Sequence, residues 1–292
     1  MNKVDINNLE VCMDLVTRFT HDYLDNDISN LVDYSFWSLL DDYDNAYEQG
    51  YIFNSAKKDI FTFRKEFDGD RLNIVYAIDN ILYHDKKIPN FKGYLGHLYT
   101  GDTINTYNTL FGNKYNFDEN GIDFEKKVEI KYEFNDGSSL LDIRNEFYMT
   151  FQTIGNFYLL PKEEPGIGSS INSYRGKCNW NDYFDVFLFH LDNCLNEHIT
   201  DEEVGLQYYL NLPNANMFFK KFNGINSFCK LFMLEDYLSF SFGHPDDTYL
   251  SHKTIIESDK YKTFCMRYIK DSSEKIVRRS HKIVYELKSK GL

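Results

Sequence analysis

Apolar side chains at Leu9, Cys12, Met13, Val16, Phe19 and Tyr23 recur every three or four residues, the interval at which one face of a helix repeats. An amphipathic helix is therefore expected over residues 8–24. The acidic, aromatic stretch LVDYSFWSLLDDYDNAYEQGY predicts a second helix that ends near Gly50, and GDRLNIVYAIDNILYHD a third. Between residues 89 and 125, Gly93, Gly96, Gly101, Gly112 and Gly121 interrupt every period, so loops and short elements are expected there. The period then changes. Val128, Ile130, Tyr132 and Phe134 alternate with charged residues before the turn residues Asn135, Asp136 and Gly137, the pattern of a strand with one wet face. Residues 156–160, NFYLL, predict a second strand stopped by Pro161. Beyond it, Phe184, Phe187, Leu188, Leu191 and Leu195 form a helical stripe, with Asn179 or Asn181 as the candidate cap. GLQYYLNL, MFFKKFNGINSFCKLFMLEDYLSF and residues 257–289 add further helix. The expected fold class is α+β, mainly helical with a small central antiparallel sheet. The expected organisation is an N-terminal helical segment over 1–90, a core domain over 91–252, and a basic C-terminal helical tail over 253–292 packed on that core.

Composition supports a packed protein. The chain has 292 residues, 42% of them hydrophobic, enough for a substantial core, and its 25 Phe and 23 Tyr supply flat faces suited to protein contacts. Frequent Asn, Lys, Ile and Tyr with 5 Pro is the usage of an AT-rich bacterial or phage genome. No run reaches the roughly 20 apolar residues of a membrane helix, and MNKVDINNLE lacks the apolar stretch of a signal peptide, so a cytoplasmic protein without membrane partners is expected. The five cysteines, Cys12, Cys178, Cys194, Cys229 and Cys265, are odd in number and never in a CxxC pair, as reduced and mostly buried thiols would be.

The net charge of −13 argues against general nucleic-acid binding, which draws on Lys and Arg. The distribution is uneven. Residues 253–292 hold 11 Lys or Arg against 5 Asp or Glu, a local +6 that leaves −19 on residues 1–252. Such a tail can grip an acidic partner, fold onto its own acidic body or lie solvated.

The densest motif is IGNFYLLPKEEPGIGSSINSYRGKCNWNDYFDVFLFHL, residues 154–191. Gly155 and Gly176 allow backbone shapes closed to other residues, Asn156 and Asn172 can bond nearby amides, and the planar fork of Arg175 can bind carbonyls or carboxylates. This describes a structural joint. The functional alternative is an anion pocket of Asn156, Asn172, Arg175 and Gly176 that cradles a phosphate near a helix start.

In order, GDTINTYNTLF, IGNFYLLP, SINSYRG, DYFDVFL and FFKKFNGINSFCKLFMLEDYL resemble a bacterial family known only as a domain of unknown function, over about residues 95–240. That resemblance implies no established activity. IGNFYLLP followed by Asn172 is also similar to the IGN segment of HNH-type nuclease domains, which use an upstream His to activate water beside a metal ion. The nearest candidate here, HDKKIP from His84 to Pro89, has the wrong spacing.

His244, Asp246, Asp247 and His252 are all ligand types for a divalent metal, yet they share no recognised metal spacing and read as a solvated loop. Asp41, Asp42 and Asp44 read as an acidic helix face, and RRSH at 278–281 is too compressed for a known ribonuclease pair. With no nucleophile elbow, Walker loop or dinucleotide fingerprint, no cofactor is expected. The expected function is a protein–protein interaction module of a phage, prophage or mobile element, acting in bacterial defence or inhibiting a host defence complex. Its expected partner is a bacterial or phage protein, and homo-oligomerisation through aromatic patches is expected too. The alternative is a nuclease-like enzyme acting on nucleic acid or nucleotides, with Arg175 and Asn172 on phosphate and Asp182 or Asp185 assisting a metal.

Overall fold

The computed structural model describes residues 4–52, 72–86, 94–97, 117–118, 121–122, 150–161, 184–201, 203–238 and 259–292. Its helices are α1 (Leu9–Tyr23), α2 (Tyr43–Glu48), α3 (Asn73–Tyr83), α4 (Phe184–Leu195), α5 (Val204–Leu210), α6 (Pro213–Phe219), α7 (Gly224–Phe232) and α8 (Asp259–Ser289). Its strands are β1 (Tyr94–His97), β2 (Phe117–Asp118), β3 (Gly121–Ile122) and β4 (Phe157–Leu160). The chain is mainly helical, as expected, but the expected central antiparallel sheet is not supported. Described β-structure consists of β1 beside β4 and the short antiparallel pair β2–β3. Strands of two to four residues bury too little surface to act as a layer. The strand expected at 128–134 lies outside the described residues.

The chain divides into two compact units, each discontinuous in sequence. The first takes Met1–Ile88, Tyr115–Phe157 and Ile276–Leu292, the second Pro89–Lys114 and Tyr158–Lys275. The expected N-terminal segment 1–90 thus lies mostly in the first unit, and residues 253–292 are divided between the two.

In the first unit, the Asn8 side chain accepts from the backbone N–H groups of Glu10 and Val11, which starts α1. Cys12, Leu15, Val16 and Phe19 face inward from it and pack against α3. Asn80 of α3 donates to the Ile6 carbonyl, and Asn73 donates to the carbonyls of Gly50 and Ile52, so two side-chain amides tie the N-terminal chain to α3. The continuous helix expected before Gly50 is instead two 3-10 turns, Ile28–Val32 and Phe36–Leu40, followed by α2. The ladder is interrupted where the backbones of Ser35 and Asp42 leave the helical region. The Asp27 side chain takes the Ser29 N–H, Ser35 is extended, and the Phe36 N–H leaves the helical ladder for the Gln152 carbonyl. Phe19, Tyr23, Tyr34, Phe36 and Tyr51 then meet edge to face in one interior cluster.

The basic C-terminal residues complete this unit. Ile276, Ile283, Val284 and Leu287 are buried, while Lys288 reaches the Ser29 hydroxyl and Asp27, and Lys290 lies 3.3 Å from Asp85. Of the three roles open to a basic tail, this end of α8 folds onto its own acidic body.

The second unit is built on rings. Tyr158 meets Phe184, Phe228 and Phe232, and Phe184 stands edge to face on Tyr237 at 5.0 Å. The single helical run expected over MFFKKFNGINSF is broken between α6 and α7, where Gly224 has φ +76. That left-handed conformation is one glycine adopts freely.

Candidate functional site

The IGN turn is a joint that sequence alone left undecided. Ile154, Gly155 and Asn156 form one 3-10 turn before β4, and all three are buried. A Cβ on Gly155 would stand 2.1 Å from the Ile276 carbonyl oxygen and 2.5 Å from Ser280 Oγ, so glycine alone lets the chain lie against α8. The Gly155 N–H donates to Ser280 Oγ at 3.0 Å, and its carbonyl accepts from Arg279 Nη1 at 2.8 Å, with the Phe157 carbonyl accepting from the same nitrogen. Asn156 is 0% exposed and its Nδ2 donates to the Phe151 carbonyl at 2.7 Å. Its amide holds the turn. Asn172, Arg175 and Gly176 lie outside the described residues, as do His244, Asp246, Asp247 and His252.

Beside this joint is a buried polar group that the sequence reading missed. Arg279, 1% exposed, is one of the largest fully buried side chains, and Asp79 and Tyr83 of α3 feel its charge. Asp79 is 4% exposed and its Oδ2 makes no hydrogen bond. Burial pushes its carboxyl up to about 7, against the opposing pull of Arg279. The RRSH stretch thus supplies a structural arginine and serine, Arg279 and Ser280.

A second buried polar group lies in the second unit. His190 Nδ1, on α4, donates to Glu203 Oε1 at 2.6 Å, and Asn193 Nδ2 donates to the same oxygen at 2.9 Å. Glu203 Oε2 accepts from the Thr200 N–H and hydroxyl, and the Glu203 N–H donates to the Thr200 carbonyl, which closes the turn that leads into α5. Burial works to raise the Glu203 carboxyl, and the bonds from Thr200, Asn193 and His190 outweigh it and hold it at about 2. The T-x-x-E spacing of Thr200 and Glu203 was the available signal. Asp79 and Arg279, like His190 and Glu203, are buried, which suits positioning of helices. Asp185, a candidate metal-assisting carboxylate, is 2% exposed on α4; Asp182 is outside the described residues. His84 is exposed in a 3-10 turn after α3. Among the described residues no three His, Cys, Asp or Glu side chains gather as a metal site. Cys12, Cys194 and Cys229 are buried thiols, and burial pushes the Cys12 thiol up to about 11.

What does reach the surface is concentrated in one segment. Of the five exposed large hydrophobic residues among the described ones, Ile199, Val204, Tyr208 and Met217 fall within it, the last being Tyr285. Val204 and Tyr208, 57% and 59% exposed, are one turn apart on α5 and share a face. From Cys178 to Phe219 the sequence has seven Asp or Glu and no Lys or Arg. Glu197 and Asp201 are exposed beside Ile199, so apolar side chains stand among negative charge without a compensating cation from the same segment. Charge blocks counted by segment would have pointed here.

Residues 118–283 match the model of a family of unknown function (DUF6994), and the chain belongs to that family. Gly155, His190, Glu203, α5 and Arg279 lie within the matched span; α1 and α3 lie outside it. No curated protein and no solved structure matches the chain. No described helix is long and apolar enough to cross a membrane.

Proposed function

We propose that this chain is a protein-binding module whose contact surface is the acidic, apolar face around Ile199, Val204 and Tyr208. The observation that carries the reading is the exposure of Val204 and Tyr208 on one side of a helix whose other side, Leu206, Tyr209 and Leu210, is buried. Tyrosine is suited to such a contact because it offers a large rigid surface and a polar tip. The surrounding Glu197 and Asp201 favour a partner surface that carries Lys or Arg. The AT-rich residue usage suits a bacterial or phage partner, in the setting of a phage, prophage or mobile element that meets a host defence system.

Tagged protein purified from its native host identifies the partner by mass spectrometry, and calorimetry then measures the affinity of that partner for wild type and for the Val204→Ser, Tyr208→Ser double variant. Truncating two central anchors should weaken binding roughly a hundredfold, about 3 kcal/mol. Undiminished affinity in a folded double variant refutes the assignment of the face.

A further inference from the structure

A single buried guanidinium is drawn from two sides. On one side, Arg279 Nη1 donates to the carbonyls of Gly155 and Phe157, which closes the IGN turn onto α8. On the other stands Asp79 of α3, 4% exposed, whose Oδ2 makes no hydrogen bond and on which the charge of Arg279 acts. All four residues belong to the first unit. A carbonyl offers a guanidinium a partial charge and a carboxylate a full one, so ionised Asp79 is the stronger acceptor, whereas protonated Asp79 leaves the carbonyls uncontested. One proton thus sets which acceptor holds Arg279.

We propose that Asp79 is a proton-sensitive latch on this joint: with Asp79 protonated, Arg279 holds the IGN turn against α8, and ionised Asp79 draws the guanidinium away and loosens the turn. The groups around the pair leave the decision to it. From α1 the inward face brings the Cys12 thiol, which donates to the Ile6 carbonyl, and Tyr51 donates to Asp22. Tyr83, one turn along α3 from Asp79, and Glu286 of α8 act on each other. Among the described residues, the charge that acts on Asp79 itself is that of Arg279. Burial lifts the Asp79 carboxyl to about 7, which puts the midpoint of the latch near neutral pH. Gly155 and Arg279 lie within the family span and Asp79 outside it, so α3 adds the proton response to a joint made of family residues.

Carbon-13 and nitrogen-15 NMR of the full chain from pH 5.5 to pH 8.5 tests this directly. The Asp79 carboxyl carbon should titrate near 7, and the Arg279 guanidinium nitrogens should shift with the same midpoint. Hydrogen exchange, corrected for its intrinsic pH dependence, reads the joint itself. Exchange of peptides within residues 151–160 should rise roughly tenfold between pH 6 and pH 8, because the closed joint keeps the proton to about 7 and the open one releases it near 3.8. At pH 8 it should also be faster than exchange in α1 and insensitive to low urea, as local opening is. Asp79→Asn keeps the shape without the charge and should hold the pH 6 level throughout. A guanidinium that ignores the titration of Asp79 overturns the proposal, as does a variant that keeps the wild-type rise. Exchange in 151–160 that matches α1 at every pH and urea concentration overturns it too, since the event is then unfolding of the whole unit.

Discussion

Replacing Asp79 by Asn should change how stability depends on pH, because Asp79 is a carboxyl held in the interior without a full partner. It is 4% exposed, its Oδ2 makes no hydrogen bond, and burial lifts it from the ordinary 3.8 to about 7 despite Arg279. The folded state therefore prefers the protonated form. Below the unfolded value near 3.8 the carboxyl is neutral in both states and costs nothing. As pH rises the unfolded chain releases the proton first, and stability falls until the folded carboxyl also ionises near 7. Each unit of pKa is worth about 1.4 kcal/mol, so the full loss is on the order of 4 kcal/mol, more than half of which falls between pH 5 and pH 8. Asn has the same shape and never ionises, but its amide N–H groups need acceptors, at about 1–3 kcal/mol if they find none. Urea unfolding of both proteins at pH 5, 6, 7 and 8 isolates Asp79, because other titrating groups cancel in the difference. Asp79→Asn should gain on wild type by roughly 2–3 kcal/mol across that range, whatever its offset at pH 5. A pH-independent difference refutes the reasoning and means that Asp79 is ionised in the folded protein throughout.

Two further predictions concern the other buried joints. Gly155→Ala drives a methyl group into the Ile276 carbonyl and Ser280 of α8, and should cost about 3 kcal/mol or abolish soluble expression, read from the urea midpoint; wild-type stability would mean that α8 can withdraw at no cost. Glu203→Gln should destabilise the protein near neutrality by up to about 3 kcal/mol, because the carboxylate bonded by Thr200, Asn193 and His190 sits at about 2 instead of 4.5. That contribution is complete above about pH 4.5 and is lost as pH falls towards 2, so the gap between variant and wild type should narrow in acid. A gap that is constant from pH 7 to pH 3.5 would show that packing, and not ionisation, is what Gln disturbs.

Elements with a full period were legible in the sequence. The spacing of Cys12, Val16 and Phe19 predicts α1, and the Phe184 to Leu195 stripe predicts α4, because a helix that buries one face must repeat its apolar residues. The same spacing over-reads where the backbone leaves the helical region: Ser35 is extended and Asp42 is non-helical within the stretch before Gly50, and Gly224, with positive φ, separates α6 from α7. The expected central sheet is not supported among the described residues, although β4 falls where NFYLL predicts a strand; the alternating stretch 128–134 lies outside them.

By itself the sequence determined the helical character, the negative charge of the body, the basic end of the chain and the family motifs around IGNFYLLP, all of which depend on neighbours within a few residues. Only the tertiary structure decided that Gly155 is needed for contact with Ile276, that the basic end is core as well as surface, and that Arg279 sits buried near Asp79. The reason is distance along the chain. Gly155 and Ser280 are 125 residues apart and Lys288 and Ser29 are 259 apart, and which such groups meet is settled by how the helices pack. Exposure of Val204 and Tyr208 was hidden for the same cause: an apolar residue on a helix reads as core until the packed surface shows which side was left uncovered.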